Sequence, residues 1–296
     1  ILFLTAVIVW ILFSKLINEG GEKWMFITVA ALLTIAVSQL ALSLVNWLAT
    51  LFTRPCLLPK MDFSKGIPSP YKTLVAIPTM LTSTTDVEEL TEDLEVRFLA
   101  NRQQNLHFAL LTDLKDADAE TLPEDDEIVL LAKEKIAALN RKYQRSTDDT
   151  FFLFHRPRKW NAKEKCWMGY ERKRGKLSNL NQLLLENKKE NFSVIVGDEA
   201  VYRQIKYVIT LDTDTQLPRD AATRMIGTMA HPLNQPFYSE KKKRVTRGYT
   251  ILQPRVSNTL PANNSSLFAR IHSNDEGTDP YTKAVSDVYQ DIFKEG

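Results

Sequence analysis

Two aspartates, Asp212 and Asp214, stand one residue apart at the end of an apolar run, residues 207–211. Such a run is typical of a buried strand in a parallel sheet, and ligands of open α/β sheets bind beyond the carboxyl ends of these strands. Carboxylate oxygens are hard ligands, and two of them at that edge can hold Mg²⁺ or Mn²⁺ against a diphosphate. The pair predicts a metal and diphosphate site, with a solvated surface turn as the alternative interpretation.

Two further polar side chains follow the neighbouring predicted strands. Thr79 comes after a strand at residues 72–77 that Pro78 closes, and Asp113 comes after a strand at residues 106–112. The carboxyl ends of parallel strands share one edge of a sheet, so these side chains are expected at the same edge as Asp212. A carboxylate at Asp113 could accept hydrogen bonds from a base or ribose, or it could equally cap a helix or belong to the acidic loop behind it.

Charged loops separate the predicted elements. The acidic loop that ends at Glu127 lacks the glycine and the spacing of a calcium loop, so it is interpreted as solvated. Residues 156–176 mix cations with aromatic rings, as nucleic-acid-binding segments do, but a solvated loop, or one against anionic lipid headgroups, is favoured for most of them. Lys176 differs because it precedes a predicted helix start at Leu177, where cations and helix N-termini both favour a diphosphate. The formal net charge of +2 does not suggest nucleic acid as a partner.

Strand and helix patterns alternate from Tyr71 onward. Strands are predicted at residues 72–77, 106–112, 151–155, 207–211 and 249–256. Helices are predicted at residues 87–102 (with Asp86 as N-cap), 128–143, 177–187 and 220–229. This alternation predicts an α/β fold with a mostly parallel sheet and helices on both faces.

Two apolar stretches precede the α/β series. Residues 1–17 are interrupted only near Ser14 and Lys15, and residues 24–52 contain no charged side chain, a run longer than the roughly 20 residues that cross a bilayer. The sequence therefore predicts two transmembrane helices in residues 1–52, a linker at 53–70 and the α/β domain at 71–296. The second span is followed by three basic residues, Arg54, Lys60 and Lys65. By the positive-inside rule, they place the loop 18–23 outside and the α/β domain in the cytoplasm.

The cysteines and histidines predict no further chemistry. Cys56 and Cys166 lie far apart in the sequence and are interpreted as free thiols in a reducing compartment. The four histidines show no metal-ligand spacing with one another or with the cysteines, so no zinc site is predicted.

The order of the motifs resembles the family A (GT-A) fold of nucleotide-sugar glycosyltransferases. The matching residues are Pro78-Thr79, Asp113, Gly175-Lys176, Asn179, Asn181, Asp212 and Asp214. More narrowly, the strings at residues 210–220, 227–232, 251–256 and 279–291 are similar to the cyclic β-1,2-glucan synthases, and the match spans roughly residues 71–296. Members of that family are bacterial inner-membrane enzymes that use UDP-glucose to build a linear β-1,2-glucan on themselves and then cyclise it.

The resemblance implies roles for several of the matching residues. Asp113 would contact the uridine, and Asp212 with Asp214 would hold Mg²⁺ or Mn²⁺ and the diphosphate. The donor site would also be lined by Thr79, Lys176 and Asn181. The implied partners are UDP-glucose, a growing glucan chain and the lipid bilayer. An inverting transfer also needs a general base, which the family is expected to supply, with an Arg-Trp motif, beyond Gly296. The chain is therefore expected to be truncated at its C-terminus and to bind the donor without transferring glucose.

Two other functions remain open at this point. The chain could belong to a processive synthase of another β-glycan, such as cellulose or chitin, although the strings around residues 216–219 and 227–231 favour the β-1,2-glucan family. It could also be a membrane-anchored binding module in which the aspartates only cap helices and the basic loops bind lipid. Metal-dependent UDP binding would separate this module from both enzymes.

Overall fold

The computed structural model describes residues 2–17, 23–52, 58–143, 148–254 and 266. The chain divides into two compact units; the first includes residues 2–17 and 23–52, and the second includes residues 59–143 and 148–252. The first unit contains two helices that contact each other, α1 (Leu2–Ile17) and α2 (Lys23–Phe52). The second unit contains every strand and the remaining helices of the described ranges.

The two N-terminal stretches are helical, as predicted, but the prediction that they cross a membrane is not supported. Within the described ranges, no helix combines the length and the apolar character that crossing a bilayer requires. The predicted orientation depended on the loop 18–23 and on Arg54, and residues 18–22 and Arg54 lie outside the described residues. The two spans, the bilayer as partner and the inner membrane as location therefore have no support from the structure.

The second unit is built on a five-stranded sheet in the order β6-β3-β2-β1-β7. Its strands are β1 (Thr73–Leu81), β2 (Leu106–Leu114), β3 (Phe151–His155), β6 (Val194–Val196) and β7 (Tyr207–Thr210). All pairings are parallel except that of β6 with β3. Two antiparallel hairpins join β4 (Lys159–Asn161) to β5 (Cys166–Met168) and β8 (Phe237–Ser239) to β9 (Arg244–Arg247). Cys166 in β5 is a free thiol, as predicted, and Cys56 lies outside the described residues.

Helices cover both faces of this sheet. One face packs against α3 (Thr84–Ala100), α4 (Asp125–Tyr143) and α7 (Ala221–Ala230), and the other packs against α5 (Arg172–Glu186) and α6 (Glu199–Tyr202). Side chains alternate along a strand, so Val75 of β1 belongs to the first core and Leu74 to the second. The mixed α/β fold with its mostly parallel sheet confirms the predicted fold class and is consistent with a GT-A-like domain.

Residues 59–70, most of the segment predicted as a linker, belong to the second unit. Phe63 and Ile67 are buried in the first core, and the amide of Met61 donates to the carbonyl of Gly227 at 2.9 Å. The helix α3 also begins earlier than predicted, because Ser83 rather than Asp86 caps it. The Ser83 hydroxyl accepts a hydrogen bond from the amide of Asp86 at 3.1 Å, which satisfies one of the free N–H groups of the first turn.

The strand β1 continues through Pro78 and Thr79, so the prediction that Pro78 ends it is wrong. The carbonyl of Ala76 accepts a hydrogen bond from the amide of Leu211 at 3.1 Å. Pro78 lies two residues further along β1, so its backbone nitrogen also points toward β7. Because β7 has already ended at Thr210, the missing N–H of Pro78 leaves no partner of the sheet unsatisfied.

The C-terminal strands differ from their predictions. The strand β7 is only partly buried. Val208 pairs with Leu74, but the second core, to which Leu74 belongs, does not extend over this edge strand. Val208 is therefore 36% exposed. The predicted strand at 249–256 is absent from its described part, residues 249–254. The chain leaves β9 through Gly248, whose φ of +76° favours glycine. The basic run 241–244 forms the exposed hairpin turn into β9.

A buried histidine makes the stability of this unit depend on pH. The Nδ1 atom of His107 in β2 lies 2.8 Å from the carbonyl oxygen of Asp149, and burial lowers the pKa of His107 from 6.5 to about 4. The unfolded chain therefore binds more protons than the folded chain between these values, so stability falls as the pH falls from about 6.5 to about 4.

We expect His107→Asn to reduce this pH dependence, because asparagine keeps a donor for the Asp149 carbonyl and does not titrate. The free energy of unfolding should lose on the order of 3 kcal/mol less across that window than it does in the parent chain. Urea unfolding at a series of pH values measures the difference. An identical pH dependence in the two proteins would show that His107 is not the source of it.

Candidate functional site

A buried ion pair lies at the carboxyl edge of the sheet. Asp113 is the next-to-last residue of β2, and Arg156 directly follows β3; the two strands are paired with Thr112 beside His155. The Nε atom of Arg156 lies 2.8 Å from Oδ1 of Asp113, and its Nη2 atom lies 3.0 Å from Oδ2. Both side chains are buried. The pairing is bidentate and charge-assisted, which fixes the carboxylate in position as well as in charge.

Arg156 also attaches the pair to α5 and to the chain before it. Its Nη1 atom donates to Oδ1 of Asn179 at 2.7 Å, and its Nη2 atom donates to the carbonyl of Tyr170 at 3.1 Å. The sequence placed Arg156 in a solvated basic loop, and this prediction is wrong for Arg156 because the β2–β3 register turns its guanidinium inward to Asp113.

A second buried ion pair corrects the predictions for both charged loops. Arg158 is buried, and its Nη2 atom lies 3.1 Å from Oδ1 of Asp125, in the acidic segment that was predicted to be solvated. Its Nε atom donates to the carbonyl of Lys115 at 2.6 Å. This guanidinium therefore binds both ends of the acidic loop, Lys115 and Asp125, and the carboxylate of Asp125 compensates the buried cation.

Lys176 adds a second cation to the buried cluster. Its Nζ atom lies 3.0 Å from Oδ2 of Asp113 and also contacts the carbonyl oxygen of Thr79. Burial lowers the pKa of Lys176 below its ordinary value, while the neighbouring Asp113 opposes that change. With Arg156 and Lys176 both charged, the cluster carries one more positive than negative charge, which favours a nearby anion.

Lys176 lies inside a helix rather than before one. The helix α5 begins at Arg172, whereas the sequence predicted a start at Leu177. A Cβ at Gly175 would lie 2.1 Å from the carbonyl oxygen of Tyr170, so only glycine lets the first turn of α5 pack so closely on the preceding chain. This close packing carries the basic residues before Leu177 into the helix and points Lys176 toward the sheet.

The two aspartates of the sequence motif follow β7 and are both exposed. The Nζ atom of Lys173 contacts Oδ1 of Asp212. Lys173 and Lys176 are three residues apart on α5 and so lie on one side of it. The helix α5 therefore presents one ammonium group to Asp113 and another to Asp212, and it brings the β2 and β7 ends of the predicted site together.

One predicted site residue lies elsewhere. Asn181 is exposed, and its position in the helical repeat turns it away from Lys176, whereas Asn179, three residues from Lys176, contacts Arg156. The structure therefore brings together Thr79, Asp113, Lys176 and Asp212, with Asp214 two residues beyond. It adds three residues to which sequence reasoning assigned no role at the site: Arg156, Lys173 and Asn179. The helical spacing of Lys173, Lys176 and Asn179 was the signal that could have found two of them.

The donor set at Asp212 and Asp214 suits a hard divalent cation. In the part of the chain that the structure describes, no group of three or more His, Cys, Asp or Glu side chains is arranged around a common centre. Mg²⁺ is usually held by one or two carboxylates together with substrate phosphates and water, so it does not need such a group. The ammonium group of Lys173 beside Asp212 shows that a cation is accommodated there. Asp212 and Asp214 are the residues that would hold Mg²⁺ or Mn²⁺.

A glycine sets the position of the Asp113 carboxylate. A Cβ added to Gly169 would lie 2.1 Å from Oδ2 and 2.4 Å from Cγ of Asp113. We expect Gly169→Ala to displace the carboxylate from Arg156 and to cost about 1–3 kcal/mol of stability through overpacking. Ser178→Ala, at an exposed position of α5, is the matched control. Urea unfolding of both variants measures the effect, and equal stability of Gly169→Ala and the parent chain would contradict this role.

The chain was compared with known proteins. No protein-family profile matches it. It is 40% identical over 294 residues, 99% of its length, to the cyclic beta-(1,2)-glucan synthase NdvB of Rhizobium meliloti (strain 1021). The chain spans 10% of the length of that protein. Nearly all of this chain, including the charged carboxyl edge of its sheet, is thus similar to one part of a much longer cyclic β-(1,2)-glucan synthase.

Proposed function

We propose that this chain is the donor-binding part of a glucosyltransferase that uses UDP-glucose to build β-1,2-glucan. The similarity to a cyclic β-(1,2)-glucan synthase supports the reaction. The observation that carries the proposal is the placement of a buried carboxylate with two cations beside two exposed carboxylates at one edge of an α/β sheet. Nucleotide ligands of open α/β sheets bind at this edge.

Asp113 would recognise the uracil ring. Arg156 and Lys176 supply three hydrogen bonds to its carboxylate, and an ionised carboxylate can accept about four. The remaining acceptor would take an N–H donor, which the imide of uracil provides. Asp113 would therefore favour a ring that presents a donor at that position.

The diphosphate would lie between α5 and the aspartates. Lys173 and Lys176 place two cations along this edge, and Asp212 with Asp214 would hold the metal. When bound, Mg²⁺ or Mn²⁺ neutralises the negative charge of the UDP leaving group. A metal at Asp212 would compete with Lys173 for the carboxylate, and the freed ammonium group would then pair with a phosphate oxygen.

Calorimetry with UDP-glucose tests the proposal. We expect binding that requires Mg²⁺ or Mn²⁺ and is lost with a chelator, and we expect ADP-glucose to bind at least about tenfold more weakly, because adenine presents no imide N–H to Asp113. Equal affinity for the two donors, or binding that does not depend on the metal, would contradict the proposal. Linkage analysis of any labelled glucan separates a β-1,2 product from the β-1,4 product of a cellulose-type or chitin-type synthase.

A further inference from the structure

The turn that carries the two aspartates is held by a buried arginine. Arg97 lies in the last turn of α3, and its side chain is 7% exposed. Its Nε atom donates to the carbonyl of Thr215 at 3.1 Å, and its Nη2 atom donates to the carbonyl of Thr213 at 2.5 Å. These two carbonyls belong to the residues on either side of Asp214, so one guanidinium fixes the backbone before and after that carboxylate.

The same turn is closed from within and anchored again further along. The amide of Thr215 donates to the carbonyl of Asp212 at 3.0 Å. Asn101, one helical turn beyond Arg97, donates from Nδ2 to the carbonyl of Leu217 at 3.1 Å and accepts from the amide of Ala222 at 3.3 Å. The whole segment from Asp212 to the start of α7 is thus bound to the C-terminal end of α3.

The chemistry of arginine suits this role better than that of lysine. The planar guanidinium presents donors in a fixed fork, which can bridge two carbonyl oxygens on one turn, whereas an ammonium group is a point charge. The nearest carboxylate, that of Asp93, lies 3.6 Å from Nη1 and is 60% exposed. The main acceptors of the buried cation are therefore the two backbone carbonyls of the aspartate turn.

We propose that Arg97 is the positioning residue of the metal and diphosphate site, acting through the backbone on both sides of Asp214. This inference rests on the proposed function, because it assigns a purpose to the geometry of the aspartate turn. Arg97 itself is placed to contact neither the donor nor the metal. Its effect on binding should therefore appear in the metal-dependent part of the affinity.

The first experiment measures the anchoring without any ligand. Amide hydrogen exchange is compared for Arg97→Met and for the control Arg102→Met, an exposed arginine just beyond the same helix whose guanidinium stacks on Phe98. We expect residues 212–217 to exchange faster in Arg97→Met only, with the amides of β2 as the reference for global stability. Unchanged exchange in this segment would overturn the anchoring role.

The second experiment measures UDP affinity with Mn²⁺ and with a chelator, and takes the ratio of the two. We expect Arg97→Met to reduce this metal enhancement at least about tenfold, Arg97→Lys to restore part of it, and Arg102→Met to leave it unchanged. Simple destabilisation would lower both affinities together and leave the ratio intact. An equal enhancement in Arg97→Met and the parent chain overturns the role of Arg97. An absence of enhancement in the parent chain instead overturns the proposed function, and hydrogen exchange still decides the anchoring.

Discussion

Replacing Asp212 or Asp214 by alanine is expected to abolish the metal-dependent binding of UDP. Each carboxylate would be one of the two protein ligands of the metal, so either substitution removes half of the ligands that the protein supplies. Loss of an outer-shell partner typically costs 10–100-fold in metal affinity, so the loss of a ligand should exceed about 100-fold. Asp212→Ala also leaves the ammonium group of Lys173 without its carboxylate.

Calorimetry with UDP and Mn²⁺ measures this effect, and thermal unfolding serves as the check on the fold. Both aspartates are exposed, so neither substitution should lower the unfolding temperature appreciably. Asp126→Ala, another exposed carboxylate in the first turn of α4, is the matched control and should bind UDP like the parent chain. Unchanged UDP affinity in both Asp212→Ala and Asp214→Ala would end the assignment of the metal site.

Asp113→Ala is expected to destabilise the fold as well as weaken donor binding. The substitution leaves Arg156 and Lys176 buried without their carboxylate, and removing one partner of a buried ion pair typically costs about 3–5 kcal/mol. The loss of a hydrogen bond to the uridine, the contact that the resemblance implies for Asp113, would by itself cost about 1–3 kcal/mol of binding free energy. The structure adds the larger effect on stability because it shows where the two cations lie.

The surface pair Asp116–Arg172 supplies the control for this experiment. Its charged atoms are 2.7 Å apart, but both side chains are substantially exposed, so Asp116→Ala should change the free energy of unfolding by about 0–1 kcal/mol. Urea unfolding of both variants gives the comparison. The affinities of Asp113→Ala for UDP and for UDP-glucose should fall by the same factor, and Mn²⁺ should still enhance both. A stability loss as small as that of Asp116→Ala would show that Asp113 does not hold the cluster together.

Much of the α/β order could be predicted from the sequence because the sheet has strong local signals. The strand β3 has the bounds that were predicted, Phe151–His155, because a short run of apolar residues ended by cations is typical of a buried strand. Asp113 and Asp212 reach one edge because parallel strands end together. These features depend on pattern and topology, and both can be read along the chain.

The partners of the site residues could not be predicted in the same way. Whether Arg156 faces solvent or Asp113 depends on the register of β2 with β3, which is a contact between residues 43 positions apart. The packing of α5 depends on how closely Gly175 approaches Tyr170, and this packing turns Asn179 rather than Asn181 toward Arg156. Likewise, the hydrogen bonds from Arg97 to the aspartate turn join residues that are 116 and 118 positions apart.

The most direct test of the central claim, that the carboxyl edge of this sheet binds the donor, is photolabelling with 5-azido-UDP-glucose. We expect the azido group, carried by the uracil ring, to label peptides from the end of β2 around Asp113 or from the start of α5. Labelling should require Mn²⁺ and be suppressed by excess UDP but not by excess ADP, and it should fall in Asp113→Ala and not in Asp126→Ala. UDP-suppressible labelling that maps to other parts of the chain, or labelling that UDP does not suppress, would contradict the claim.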